Sequence, residues 1–151
     1  MSVFSGKCLC GKVSYSCSSE PNAIFNCHCD DCRRATGSVF GTNLFVSERT
    51  VEISGKISTY THIADSGSTM TKRFCPHCSS LLFGKNSAKP NIISIRADTV
   101  DQVDVIKPII NVFMDSKVPS TSIDNNLKQA RRMPSYRKHK LDKIRQAHTV
   151  R

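Results

Sequence analysis

Apolar and polar residues alternate along most of this chain, in short runs broken by Gly, Ser, Asn and Pro. A period of two marks half-buried strands, whose side chains point in turn to opposite faces. Val13, Tyr15 and Cys17 alternate with Lys12, Ser14 and Ser16. Residues 22–27 hold a second short apolar run, and 38–46 are rich in β-branched and aromatic side chains. Residues 51–53 and 57–60, separated by Ser54-Gly55-Lys56, predict a hairpin. Further strands are expected at 69–74, 81–83, 92–97 and 108–114. Helix signals are few. Asp30 or Asp31 can cap one turn through 32–36, stopped by Gly37. A short turn is expected at 98–103. Beyond Pro134 only 136–147 can continue as helix, with Leu141 and Ile144 as a thin apolar face. No repeat of solenoid length is visible. Many short strands and little else predict a small all-β domain.

The length of 151 residues fits one domain with an appendage. Charge locates the appendage. The net charge is +10, yet residues 1–126 carry 13 basic against 11 acidic side chains. Residues 127–151 carry nine basic side chains against Asp142 alone. The expected division is therefore a domain over 1–124 and a basic tail over 125–151, disordered or partly helical. Such a tail favours polyanions, either nucleic acid or an acidic protein surface, or it is a solvated extension without a partner. No apolar run approaches the ~20 residues of a membrane span. The first residues lack a basic segment followed by an apolar one, so no secretory signal is expected. The expected compartment is the cytoplasm, with the nucleus as the alternative, and reduced or metal-bound cysteines follow from that.

Seven of the eight cysteines fall into three clusters: Cys8 and Cys10; Cys27, Cys29 and Cys32; Cys75 and Cys78. Thiolates one or two residues apart can grip one soft ion together. Cys8, Cys10, Cys75 and Cys78 make a closed set of four, the usual composition of a structural zinc site. It would staple the start of the domain to its middle. Cys27, Cys29 and Cys32 number three, which leaves one position for water or substrate, as in catalytic zinc. His28 could be a fourth ligand, but it lies between two ligating cysteines, and in extended backbone its side chain would point away from theirs; otherwise it is a polar residue near the mouth of the site. His77 meets a similar objection. The competing reading is purely structural, with His62, Asp65 or Cys17 completing the trio. A redox role for Cys75-Pro76-His77-Cys78 needs a helix after the motif, and strand-like sequence lies on both sides instead. Cys17 is in phase with Val13 and Tyr15 and reads as a buried apolar thiol.

These motifs together resemble the glutathione-dependent formaldehyde-activating enzyme family, which also includes centromere protein V. The resemblance runs through Gly6-Lys7-Cys8-Leu9-Cys10-Gly11 with Val13 and Tyr15, then through 27–37, then through Arg73-Phe74-Cys75-Pro76-His77-Cys78 with Leu81. It covers about residues 4–118 and leaves out the basic tail. It implies a β-rich fold of the Mss4-like type. It implies two zinc ions per chain, a structural one on Cys8, Cys10, Cys75 and Cys78 and a catalytic one on Cys27, Cys29 and Cys32. The implied activity is that of a carbon–sulfur lyase: glutathione adds to formaldehyde to give S-hydroxymethylglutathione, or the reverse. Arg33 and Arg34, directly after the last ligand, are candidates to pair with a carboxylate of a glutathione-like substrate. Two departures stand out. Ser79 stands where the family usually has glycine, and Ser120 where a tryptophan is common.

Two functions are therefore expected. The first is a zinc-dependent carbon–sulfur lyase-like enzyme acting on a small thiol adduct. The alternative is a zinc-stabilised binding module whose tail contacts nucleic acid or an acidic protein surface.

Overall fold

The computed structural model describes residues 2–134. The strands are β1 (Phe4–Lys7), β2 (Ser14–Cys17), β3 (Ala23–Cys27), β4 (Gly41–Ser47), β5 (Val51–Ser54), β6 (Ser58–Ile63), β7 (Thr69–Phe74), β8 (Leu81–Asn86), β9 (Ile92–Arg96), β10 (Ile110–Val112) and β11 (Lys128–Gln129). One α-helix, α1 (Asp30–Thr36), follows β3. The strands form a small sheet in the order β1-β2-β5 and a large one in the order β11-β10-β3-β4-β9-β8-β7-β6. The all-β expectation holds. Pairing is antiparallel throughout the named strands except at one edge, where β10 runs parallel to both β3 and β11.

The hairpin expected over 51–60 does not form. Val51 and Ile53 lie opposite Cys17 and Tyr15 of β2 in the small sheet, while β6 pairs with β7 in the large one. The cause is the turn between them. Gly55 sits at φ 104°, and a Cβ there would lie 2.2 Å from the Lys12 carbonyl oxygen. Gly55 thus passes tightly under the start of β2 and sends the chain to the other sheet. The short turns expected near 98–103 appear as single 3₁₀ turns at Ala97–Thr99 and Val103–Val105. Strand β11 lies beyond residue 124, where the sequence puts the end of the domain. It adds to the sheet edge, and Ala130 N donates to Asn111 O at 2.8 Å. The candidate helix at 136–147 lies outside the described residues.

The large sheet has two faces with different roles. One carries Leu44, Val46, Phe83, Ile93 and Ile95 against Phe4, Tyr15 and Cys17 of the small sheet. All are buried, and Tyr15 and Phe83 meet edge to face with centroids 5.2 Å apart. Burial of Cys17 in phase with Tyr15 agrees with its reading as an apolar thiol. Within the small sheet Gly6 lies under its β2 partner: a Cβ there would lie 2.1 Å from Tyr15 Oη and 2.3 Å from the Thr99 carbonyl oxygen. The opposite face carries a smaller cluster of Phe25, Cys27, Ile109, Ile110 and Val112, with Cys29 and Cys32 packed onto its rim. Helix α1 lies over that second face.

Candidate metal centre and its surroundings

Cys8 and Cys10 leave the end of β1, and Cys75 and Cys78 occupy the connection from β7 to β8. The four sulfurs lie within 4.8 Å of one another. Cys8 Sγ and Cys10 Sγ are 3.6 Å apart, and Cys10 Sγ and Cys75 Sγ 3.8 Å. A tetrahedron with metal–sulfur bonds of about 2.3 Å has edges of about 3.8 Å. A disulfide would need about 2.05 Å, and all eight cysteines are free thiols. The backbone holds the sulfurs in place: Val13 N donates to Cys8 Sγ at 3.3 Å and Cys78 N to Cys75 Sγ at 3.5 Å. Ser80 Oγ lies 3.2 Å from Cys78 Sγ and accepts from Leu9 N at 3.1 Å, tying the two knuckles together. Hydrogen bonds from Ser80, side chain first and then backbone, bring the Cys78 thiol down to about 5. No helix follows Cys78; β8 does, which removes the redox reading.

Ser79 adopts φ 65°, with its N–H donating to Cys75 O at 2.9 Å. The turn that favours glycine is therefore kept by a residue that disfavours it. A left-handed conformation costs an L-residue about 1 kcal/mol or more, and glycine's extra freedom in the unfolded chain offsets part of the gain. Ser79→Gly is expected to stabilise the metal-loaded protein by about 0.5 kcal/mol, or ~1–2 °C in a thermal melt. A fall in melting temperature would mean that the serine side chain holds the knuckle.

The second cluster spans the junction of β3 and α1. Cys27 ends β3, Cys29 precedes the helix and Cys32 lies in its first turn. Their sulfurs also lie within 4.8 Å of one another. No His, Cys, Asp or Glu among the described residues joins them as a fourth donor. His62, Asp65 and Cys17 thus do not complete the trio. Neither does His28, which is not at a mouth at all. It is fully buried, 4.7 Å from the Phe40 ring between centroids, with neither ring nitrogen hydrogen-bonded. Burial holds its pKa below the usual histidine value, against the pull of the nearby Asn111 amide. The helix cap also differs from expectation. Cys29, not Asp30 or Asp31, is the N-cap, and its Sγ accepts from Cys32 N at 3.2 Å. Gly37 closes the helix at φ 71°, as expected.

The donor chemistry fits a cation. Hydrogen bonds from Cys27 and Cys29, and then the Arg96 guanidinium, pull the Cys32 thiol down to about 2. Those between Cys27 and first Cys29, then Cys32, push Cys27 far above its ordinary value. Three sulfurs this close cannot all ionise alone; a bound metal ion removes that restriction.

Two cations near the trio escaped the sequence reading. Arg96, at the end of β9, is only 5% exposed. Its Nη1 donates to Asn43 Oδ1 at 2.7 Å and lies 3.9 Å from Cys32 Sγ, as does Asn43 Nδ2. Gly41 makes room for it: a Cβ there would lie 2.7 Å from Arg96 Nη1 and 3.5 Å from Cys32 Cβ. Lys72, on β7, is half-buried on the same face. Single cations within alternating strands carry no local signal, so only the sheet register reveals them. The arginines chosen from sequence lie farther out. Arg33 pairs with Asp30 at 3.4 Å on the helix surface, and Arg34 is exposed.

Among the described tail residues, Arg131 and Arg132 both reach Asp115, at 2.9 and 3.8 Å. Lys128 is exposed on β11, and the other six tail cations that suggest a polyanion partner lie outside the described residues. No helix among the described residues is long and apolar enough to cross a membrane.

The family profile described as glutathione-dependent formaldehyde-activating enzyme matches residues 3–116. No curated protein matches the chain. Among solved structures, a crystal structure of a Rhodobacter sphaeroides protein, a structural-genomics target, superposes with a TM-score of 0.54 at 18% identity. It covers 69% of this chain and 96% of its own, a likeness of fold. The matched segment contains both cysteine groups complete, and with them the chain belongs to the glutathione-dependent formaldehyde-activating enzyme family.

Proposed function

We propose that the protein is a zinc-dependent carbon–sulfur lyase-like enzyme that joins glutathione to formaldehyde as S-hydroxymethylglutathione, or runs the reverse. One observation carries this reading: three converging thiols on one sheet face, without a fourth protein donor among the described residues. All-sulfur donor sets of this size suit zinc, and the two groups correspond to two ions per chain. Held by Cys27, Cys29 and Cys32, the ion would supply a soft Lewis acid with one free position, at which a thiol loses its proton near neutral pH.

The chain's own residues do the rest. The Cys32 N–H fixes Cys29, while Asn43 and Arg96 fix Cys32, so the three donors keep their spacing. Arg33 and Arg34, on the outer side of α1, are the contacts for a substrate carboxylate. In the forward step a sulfur–carbon bond forms as the aldehyde C=O opens. The proton that leaves the sulfur ends on the aldehyde oxygen, and no electrons are exchanged. Eight unpaired thiols suit a reducing compartment, cytoplasm or nucleus.

Cobalt(II) in place of zinc gives a direct test. Protein loaded with two equivalents should change its visible spectrum when glutathione is added, with half the cobalt responding. A spectrum indifferent to glutathione would overturn the proposal.

A further inference from the structure

The large sheet treats its cations differently on its two faces. On the core side, Lys85 and Arg73 share Glu48, at 2.5 and 3.6 Å. On the cysteine side, neither Lys72 nor Arg96 has a carboxylate within ion-pair distance among the described residues, although both are at least half-buried. A half-buried cation without a counter-ion is costly unless a ligand supplies one.

Register shows what lies between them. Phe25, Asn43 and Arg96 form one row across β3, β4 and β9. The next row on that face is Phe45, Ser94, Gly84, Lys72 and Tyr60. Its middle is low, because Gly84 has no side chain and Ser94 Oγ folds back onto Gly84 O at 3.2 Å. A Cβ on Gly84 would lie 2.6 Å from that hydroxyl. No long side chain of this row therefore stands between Phe45 and Lys72. Electrostatics agrees on the neighbourhood: burial first, then the charge of Arg96, lowers the Lys72 pKa, while Cys32, Asp31 and Cys29 oppose this.

The charges assign different tasks to the two cations. Three thiolates and a divalent ion sum to −1, and a fourth thiolate makes −2. Arg96 already lies against Cys32 and offsets the first of these charges. Lys72 stands one row on, on β7 opposite Gly84.

We infer that Lys72 holds the carboxylate of an anionic thiol whose sulfur lies at the cysteine trio, and so selects carboxylate-bearing thiols over neutral ones. This rests on the thiol reading above and deepens it. It also supplies an inner contact for one carboxylate of glutathione, distinct from the outer arginines.

The test compares 3-mercaptopropionate with 2-mercaptoethanol on cobalt-loaded protein, read from the sulfur-to-cobalt absorption. The unmutated protein should bind the carboxylate thiol at least about tenfold more tightly, the worth of one charge-assisted contact. Lys72→Met should remove that preference by weakening 3-mercaptopropionate about tenfold while leaving 2-mercaptoethanol within about twofold. Lys72→Arg should keep the preference. Equal weakening of both thiols by Lys72→Met would overturn the inference and make Lys72 a general counter-charge. So would a wild-type protein without preference, a result that needs no mutant to fold. If neither thiol perturbs the wild-type spectrum, the thiol reading itself falls, and this inference with it.

Discussion

Cys75→Ser should cost the protein its cooperative fold. Cys75 is fully buried, and its sulfur lies 3.8 Å from that of Cys10, across 64 intervening residues. The quartet joins β1, the edge of the small sheet, to the β7–β8 turn of the large one. It thus clamps together the two layers that enclose the main core. A structural zinc site contributes about 10–16 kcal/mol of folding free energy in small zinc domains. Whole domains have a net stability of only about 5–15 kcal/mol. Losing even part of the metal term therefore consumes the margin. A loss near 5 kcal/mol corresponds to about 10–20 °C in melting temperature for a chain of this size. Cys75→Ser should show that fall, or no transition at all, in circular dichroism. Metal removal by a strong chelator should do the same to the unmutated protein. A Cys75→Ser protein that melts within a few degrees of wild type would show that the sheets hold together without the staple.

How much of this was legible beforehand depends on the range over which each signal acts. Strand patterning is local, so β2 and β7 follow from alternation alone. Ligand spacing is local as well. Each cysteine cluster announces itself within six residues, and donor counting then pairs the distant two. The errors concern partners rather than elements. Residues 51–60 contain two strands, as expected, but a glycine turn has no means of declaring which sheet receives each one. Cys29 reads from the sequence as a candidate ligand and not as a helix cap, because sulfur is not among the usual capping groups. For His28 the sequence offers a fourth ligand or a polar residue near the mouth of the site. In fact it is fully buried against the Phe40 ring, with its backbone N–H bound to Val112 O at 3.0 Å. Arg96 and Lys72 come to the trio only through the order β4-β9-β8-β7, a long-range fact. Arg33 and Arg34 stand out in sequence by adjacency to Cys32, and the helix sets them on its outer surface, where they remain candidates for a substrate carboxylate.

Cys29→Ser should have the opposite effect from Cys75→Ser: activity lost, fold kept. The substitution suits the position unusually well. Cys29 is the N-cap of α1, and its Sγ accepts from Cys32 N at 3.2 Å. Serine is among the best N-cap residues, so its hydroxyl can take over that bond and α1 should start where it does now. Cys29 is also partly exposed and on the rim of the smaller cluster, so little packing is lost. The expected change in stability is within about 1 kcal/mol. The donor set, however, falls from three thiolates to two, and a neutral hydroxyl is a poor ligand for a soft ion. Metal content should fall from two ions per chain to about one, and the glutathione response of the cobalt spectrum should vanish. Cys32→Ser would be a poorer probe, since it also takes the sulfur away from buried Arg96 and leaves that charge uncompensated. The division of labour between the two cysteine groups is thus decided by two serine variants measured side by side. If Cys29→Ser melts like Cys75→Ser, or keeps its second ion and its response to thiols, the trio is a structural site and the catalytic proposal fails with it.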